Sequence, residues 1–397
     1  MQPIRRQPTE DTLDLLRRLV EFNTVSRDSN LGLIEWARDY LGRLGAEVRL
    51  TYDATSRKAN LFATCGDAPG FGTVFSGHSD VVPVDGQAWH TDPFVATLQG
   101  DRIYGRGTCD MKGFIAVCLS RLPHFLDKNL EKPVHLALSY DEELGCLGIG
   151  GLLDDLKAHG IAPTACVVGE PTSMQPVMAH KGKRAYRCCV KGMSAHSSAP
   201  ALGINAVDFA AELIVKLREI AARLRTSESW DPAFDVPYST LATTVIQGGN
   251  AVNTVPEHCE FVFEHRFLPG DQPQRVIDEL NAYVEDVLAL QMQAGGARGE
   301  VRFEPLSSYP GLAGSADDEP VARAMRILGV ERARKVGFGT EAGLFAAAGI
   351  PAVICGPGDI AQAHKPDEFI TLDQLARCES FFDRYVAATS LEVTPCP

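Results

Sequence analysis

Five short stretches of the sequence carry residue types that bind metals or move protons. They are Gly77-His78-Ser79-Asp80, Gly107-Thr108-Cys109-Asp110-Met111-Lys112-Gly113, Asp141-Glu142-Glu143, Gly169-Glu170-Pro171-Thr172 and Ala363-His364-Lys365-Pro366-Asp367-Glu368. Imidazole and carboxylate together form the usual oxygen and nitrogen ligand set of zinc. In a site with two metals the ions lie ~3.5–4 Å apart, and a shared carboxylate can bridge them. The set His78, Asp110, Glu143, Glu170 and His364 offers two imidazoles and three carboxylates. One bridging carboxylate, plus one histidine and one carboxylate per metal, uses all five. Glu142 then remains beside the site as a general base toward water. Asp80, next but one after His78, is placed to hydrogen-bond the other ring nitrogen and fix its tautomer.

Plainer readings compete with each motif. A lone histidine or glutamate at a strand end is more often a surface or capping residue, and Asp141-Glu142-Glu143 alone is most often a solvated acidic turn. Gly105 to Gly113 could be only a glycine-rich loop. Gly148, Gly150 and Gly151 do not make a phosphate loop, because no Lys-Ser/Thr follows. Gly192-Met193-Ser194-Ala195-His196 has half of a nucleophile elbow but lacks the closing glycine. Spacing alone leaves a metal site and a set of acidic turns both open.

The elements that must position these residues alternate between helix and strand. Thr12–Phe22 and Leu31–Leu44 have helical periodicity, the second stopped by Gly45. Strand-like runs follow at 47–51, 60–64 and 73–76, then a buried helix at 113–122, a strand at 134–140, a helix at 152–159 and a strand at 165–168. Three of the five motifs sit just past an apolar strand, where open α/β sheets build their sites. The middle changes character: strand 186–190, helix 204–224, strands 241–246 and 260–267, then helix 273–290. With one closing strand still to be placed, that order is close to a ferredoxin-like α+β unit. After Gly295-Gly296 the α/β style returns, with helix 319–328, strand 352–355 and helix 372–388. The expected fold is an α/β domain, its mixed sheet sandwiched by helices, interrupted by an inserted α+β domain. The expected boundaries are 1–182 with 295–397, and 183–294 for the insertion.

Composition narrows the class further. The chain has 397 residues, enough for two or three domains, with a net charge of −13 and 45% hydrophobic residues. An acidic balance argues against a nucleic-acid binder and suits a small cationic ligand. The 11 cysteines are odd in number and form no CxxC pair, so reduced thiols and a cytoplasmic location are expected. The stretch Met1–Glu10 carries Arg5 and Arg6 with no apolar run behind them, so no secretory leader is expected. No apolar run approaches the ~18 residues of a membrane span, so no membrane partner is expected.

The motifs in this order, with Gly192-x-x-x-His196 and the late His364, resemble the M20 metallopeptidase family of dizinc amidohydrolases, over nearly the whole chain. The resemblance implies a zinc-peptidase-like catalytic domain and an insertion that serves for dimerisation and as a lid, hence a homodimer. It implies two Zn2+, for which Co2+ may substitute: His78 and Glu170 on one, Glu143 and His364 on the other, Asp110 bridging. It makes Glu142 the base and His196 an oxyanion donor reaching into the partner subunit's site; Asp80, through its expected hold on His78, is counted with them as catalytic. It implies a cis peptide after Asp110. Asn253, Arg266 and Thr340 resemble substrate-contacting positions, with Arg266 suited to hold an α-carboxylate by a bidentate pair. The family often has aspartate where Glu170 stands. His265 and His180 are read as structural or, for His180, substrate-proximal. Further strings, Gly169 to Val177 and Cys355 to Glu368 among them, point to hydrolysis of an N-acyl amino acid, with N2-acetyl-L-ornithine the expected substrate, in arginine biosynthesis. Desuccinylation of succinyl-diaminopimelate, aminoacylase or dipeptidase and carboxypeptidase activities are the alternatives. A catalytically silent metal-binding protein is a further one.

Overall fold

The fold was derived from a computed structural model, which describes residues 7–66, 71–126, 130–226 and 229–390. Arg5, Arg6 and Cys396 lie outside the described residues, as does part of the loop expected between 226 and 239. The chain divides into two compact units: Met1–Ala179 with Leu312–Lys335 and Thr340–Pro397, and His180–Gly311 with Val336–Gly339.

The first unit is built on a nine-stranded sheet. Its centre is four strands, Val134–Ser139, Thr73–His78, Ala165–Pro171 and Ala352–Gly356, side by side and parallel. Val74, Leu136, Val167 and Val353 in these strands are fully buried. Continuous apolar runs of this kind are what a parallel sheet covered on both faces requires. Antiparallel strands Ala59–Cys65 and Glu47–Tyr52 extend one edge. Helix Glu10–Glu21 shows how sequence dictates local structure. Thr9 caps it, accepting from Thr12 N at 3.4 Å, and its periodic Leu16, Leu19 and Val20 are fully buried. Each such side chain contributes roughly 1.5–3 kcal/mol by leaving water. The last helix, Leu372–Ser390, brings Phe382 onto Phe75 with ring centroids 4.3 Å apart. A small sheet of Thr97–Gln99, Arg102–Tyr104 and Phe369–Thr371 was not expected.

Strand Thr73–His78 lies between Val134–Ser139 and Ala165–Pro171, so the next two central strands fall on opposite sides of it. That makes its carboxyl end a topological switch point, where open α/β sheets leave a crevice. His78 is the last residue of this strand.

The main sheet of the second unit has four strands in the order Thr240–Gly248, His258–Phe267, Gly182–Lys191, Glu300–Tyr309, every neighbouring pair antiparallel. Helices Ala206–Arg225 and Gln274–Tyr283 complete a ferredoxin-like βαββαβ order. Cys188, Phe261 and Phe263 on the sheet's inner face pack with Leu213, Ile220 and Leu280 of the helices, all fully buried. Asn205 caps the first helix through Oδ1, which accepts from Val207 N at 3.0 Å. The closing strand is Glu300–Tyr309, so this unit runs to Gly311 and not to the expected 294. Gly295-Gly296 turns a short hairpin between Gln293–Ala294 and Ala297–Arg298 instead of ending the domain. Among the described residues no helix is long and apolar enough to cross a membrane. The ten cysteines among them are all free.

Candidate metal centre

Four pieces of the first unit deliver the site. The central strands end in His78 and, just past Ser139, in Glu142 and Glu143, and a third carries Glu170 near its end. Asp110 sits in the irregular turn before helix Gly113–Arg121, and its peptide to Met111 is cis, as expected. His364 comes from the loop before strand Phe369–Thr371 and has positive φ.

These side chains form two groups of three, His78 with Asp110 and Glu170, and Asp110 with Glu143 and His364. Asp110 belongs to both. Its Oδ1 lies 3.0 Å from His78 Nε2 and its Oδ2 lies 3.3 Å from His364 Nε2. His78 Nε2 is 3.9 Å from Glu170 Oε1, and His364 Nε2 is 3.0 Å from Glu143 Oε2. Tetrahedral ligands at zinc bond lengths stand about 3.3 Å apart. The donor set therefore fits two ions sharing one carboxylate.

The electrostatics point the same way. Burial pulls His78 down, but its hydrogen bond to Asp110 and the charges of Asp110, Glu170 and Glu142 outweigh it and leave the imidazole well above its usual pKa. Burial would raise Asp110, yet bonds from His364 and His78 hold it below the usual carboxylate range. Burial, then Asp110 and Glu142, push Glu170 far up. Burial, opposed by His78 and reinforced by Glu143 and Glu341, pushes Glu142 up to about 8. Four carboxylates, Asp110 and Glu170 buried and Glu142 and Glu143 half-buried, against two imidazoles are short of positive charge, a deficit that divalent cations fill.

Asp80 departs from expectation. His78 Nδ1 donates to the main-chain carbonyl of Asp80 at 2.9 Å, and the Asp80 carboxylate is 3.7 Å away. That carboxylate accepts instead from Ser26 Oγ at 2.6 Å, Glu142 N at 3.2 Å and Glu143 N at 3.4 Å. The tautomer of His78 is still fixed, but by backbone. The side chain of Asp80 holds the turn that carries Glu142 and Glu143.

Thr340 departs as well. It is fully buried, and its hydroxyl accepts from Ala342 N at 3.1 Å at the start of helix Ala342–Ala347. The hydroxyl thus turns back on the main chain just ahead of that helix. The residue beside it went unremarked in the sequence: Glu341 is 1% exposed, accepts from Ser76 Oγ at 3.4 Å, and is pushed up to about 7 by burial. An acid after a Gly-Thr pair carries no periodic signal, and only the fold shows it behind the strand of His78.

His196, Asn253 and Arg266 belong to the second unit. His196 is exposed, on a two-residue strand paired with Thr254, and Ser197 N donates to Asn253 O at 3.0 Å. Its Nδ1 accepts from Ser198 N at 3.2 Å, so the ring proton sits on Nε2. Arg266 spends its Nε and Nη2 edge on Glu264, at 2.5 and 3.4 Å. That edge is thus unavailable for the bidentate grip expected of it. His265 is 4% exposed and burial lowers it to about 4, which suits a structural histidine. His180 is fully buried, its Nδ1 on Lys181 O at 2.8 Å.

Two carboxylate–imidazole triads sharing one carboxylate, at the carboxyl end of a parallel sheet, define a metal-dependent hydrolase. The profile of peptidase family M20/M25/M40 matches residues 74–388. The chain belongs to that family and is a metallohydrolase. Acetylornithine deacetylase of Proteus mirabilis (strain HI4320) is 35% identical over 367 residues, 91% of this chain and 92% of that one. The M20 metallo-carboxypeptidase Sso-CP2 of Sulfolobus solfataricus has the same fold, with TM-score 0.75, 20% identity, and coverage of 96% of this chain and 100% of its own. YXEP protein of Bacillus subtilis, described as a dinuclear metal-binding peptidase, superposes with TM-score 0.66 at 17% identity, covering 96% of this chain and 97% of its own.

Proposed function

We propose that this metallohydrolase cleaves the acetyl amide of N2-acetyl-L-ornithine to L-ornithine and acetate. The site reading rests on one observation: each oxygen of Asp110 faces a different imidazole, at 3.0 and 3.3 Å. The substrate reading is supported by the 35% identity to an acetylornithine deacetylase over 91% of the chain.

His78 and Glu170 would hold one zinc and Glu143 and His364 the other, with Asp110 bridging. When bound, such ions polarise an amide carbonyl and lower the pKa of water. Glu142 takes a proton from the attacking water as its oxygen adds to the acetyl carbon. It returns that proton to the nitrogen as the C–N bond breaks, and the water's second proton follows to the amine, so acetate and a protonated amine leave. Asp80 keeps Glu142 in place through the backbone. His196 donates from Nε2 to the oxygen that gains charge, a kind of contact typically worth ~2.7–4 kcal/mol. Asn253, beside it, contacts the substrate. Arg266, whose Nη1 also reaches Gly337 O at 3.5 Å, would meet the substrate carboxylate at one point and not two.

The working form is a homodimer formed through the inserted unit, in a reducing, cytoplasmic setting. Strand Thr240–Gly248 is a sheet edge with Val245 and Ile246 about half exposed, at 48% and 53%. An edge of that kind is a template for pairing with a second copy.

The deciding experiment is turnover of N2-acetyl-L-ornithine beside N-succinyl-diaminopimelate and a dipeptide by zinc-loaded protein. A kcat/KM for the acetyl compound that exceeds the others at least tenfold is expected. Preference for either rival would overturn the substrate reading and leave the hydrolase intact.

A further inference from the structure

The ligand loop of His364 and the turn of Asp110 are far apart in sequence, yet one buried ion pair ties them together. Glu368 and Arg106 are each 1% exposed, and Arg106 Nη1 donates to Glu368 Oε2 at 2.7 Å. The same carboxylate accepts three main-chain N–H groups of the turn: Gly107 at 3.0 Å, Cys109 at 2.8 Å and Asp110 itself at 3.0 Å. Gly105 N donates to the main-chain oxygen of Glu368 at 2.9 Å.

Arg106 completes the clasp from the other side. Its Nη1 reaches Lys365 O at 3.2 Å, and its Nη2 reaches Gln87 Oε1 at 2.6 Å. Gln87 Nε2 in turn donates to His364 O at 3.0 Å, and the guanidinium lies over the Trp89 ring at 5.0 Å. His90 N and Nδ1 both meet the Asp367 carboxylate, at 2.9 and 2.6 Å. The backbone on both sides of His364 is thus held, although its own side chain is 52% exposed. A desolvated carboxylate with four donors, one of them a guanidinium, is held by short charge-assisted bonds that fix both segments.

We propose that Glu368 and Arg106 are positioning residues for the second triad: they set His364 and the outer oxygen of Asp110 at metal-binding distance. Two of the first triad's three ligands, His78 and Glu170, are fixed on strands, whereas both the Asp110 turn and the His364 loop of the second hang on the clasp, so the clasp should act mainly on the second metal. This inference rests on the two-metal reading of the site.

The test is zinc titration of metal-free, full-length protein against a chromophoric chelator, comparing wild type with Glu368→Gln and Arg106→Lys. Lysine keeps the charge but loses the fork. The expected result is a second-site Kd raised at least tenfold, with the first-site Kd within threefold of wild type. In a His364→Ala background the same substitutions should cost nothing more at either site. Equal weakening of both sites, or a second site unchanged, overturns the proposal. If Glu368→Gln loses its cooperative melt, Gln87→Ala decides, since it touches the clasp from a half-buried position and should still raise the second Kd alone. Fewer than two zincs on the wild type would instead bring down the two-metal reading, a failure visible before any variant is made.

Discussion

The two triads share Asp110 but are made in different ways. His78, Asp110 and Glu170 are all buried, at 1%, 5% and 5% exposure. His78 and Glu170 come from neighbouring parallel strands whose register is set by backbone hydrogen bonds. The other group ends in His364, whose side chain is 52% exposed and whose loop belongs to no strand. Two ligands of the first triad are part of the sheet, while the second triad has none on a strand. Rigid elements hold ligands more closely than loops do. The buried triad should therefore bind tightly and change little, while the open one sets how readily metal is gained and lost.

The largest effect should come where the triads meet. Asp110→Ala removes a ligand from both groups at once. Metal content measured by elemental analysis should fall from two per chain toward none, and turnover should drop below detection. Retention of one full equivalent would mean that the triads are independent and Asp110 is no bridge.

Glu142→Gln asks whether chemistry can be removed without touching either triad. Both metals and the melting temperature should stay as in wild type, while kcat falls by ~10²–10⁴. A variant with near wild-type turnover would show that another group, Glu341 first, moves the proton. Mixing His196→Ala with Glu142→Ala subunits extends the test to the dimer. Partial recovery of activity in the mixture is expected if His196 serves its partner's site, and none if it acts within one chain.

Timed dialysis against a chelator compares the triads directly. One equivalent should leave at least tenfold faster than the other, and His364→Ala should abolish the fast phase alone. Two equal phases would erase the distinction between sheet and loop.

Legibility in the sequence follows the same division. The central strands announce themselves as unbroken apolar runs, and ligands at strand ends can be read directly from them: His78 closes Thr73–His78 and Glu170 lies near the end of Ala165–Pro171. What depends on the path of a loop is not periodic and does not show. The Asp80 carboxylate turns to the Glu142 and Glu143 amides because of how two loops pass each other, at 3.2 and 3.4 Å. Nor does the sequence show that the Thr340 hydroxyl accepts from Ala342 N just ahead of helix Ala342–Ala347. The strand Glu300–Tyr309 hides behind Pro305, which proline preference would assign to a loop. It is tolerated because that strand is a sheet edge with a register shift between Pro305 and Ser307.

The smallest expected effect separates both triads from the molecule that carries them. Burial lowers His135 of the first unit to about 4, and its Nε2 is buried with no hydrogen-bond partner. The ring stacks on Phe62 with centroids 4.9 Å apart. In the unfolded chain such a group titrates near 6.5. Between those values the unfolded state binds more protons than the folded one, so stability is full above about 6.5 and is lost as pH falls toward about 4. For His135 that loss is on the order of 2 kcal/mol. Acid also protonates the metal ligands, so the measurement belongs on metal-free protein, by denaturant melts from pH 7 down to 4.5. His135→Leu should flatten the acid limb at a small neutral cost, because it replaces an unpaired buried nitrogen by carbon but also removes Nδ1, the partner of Thr64 Oγ1 at 3.0 Å. An acid limb as steep as in wild type would assign the slope to His180 and His265, both also lowered to about 4 by burial, and so to the second unit and not the sheet that holds the triads.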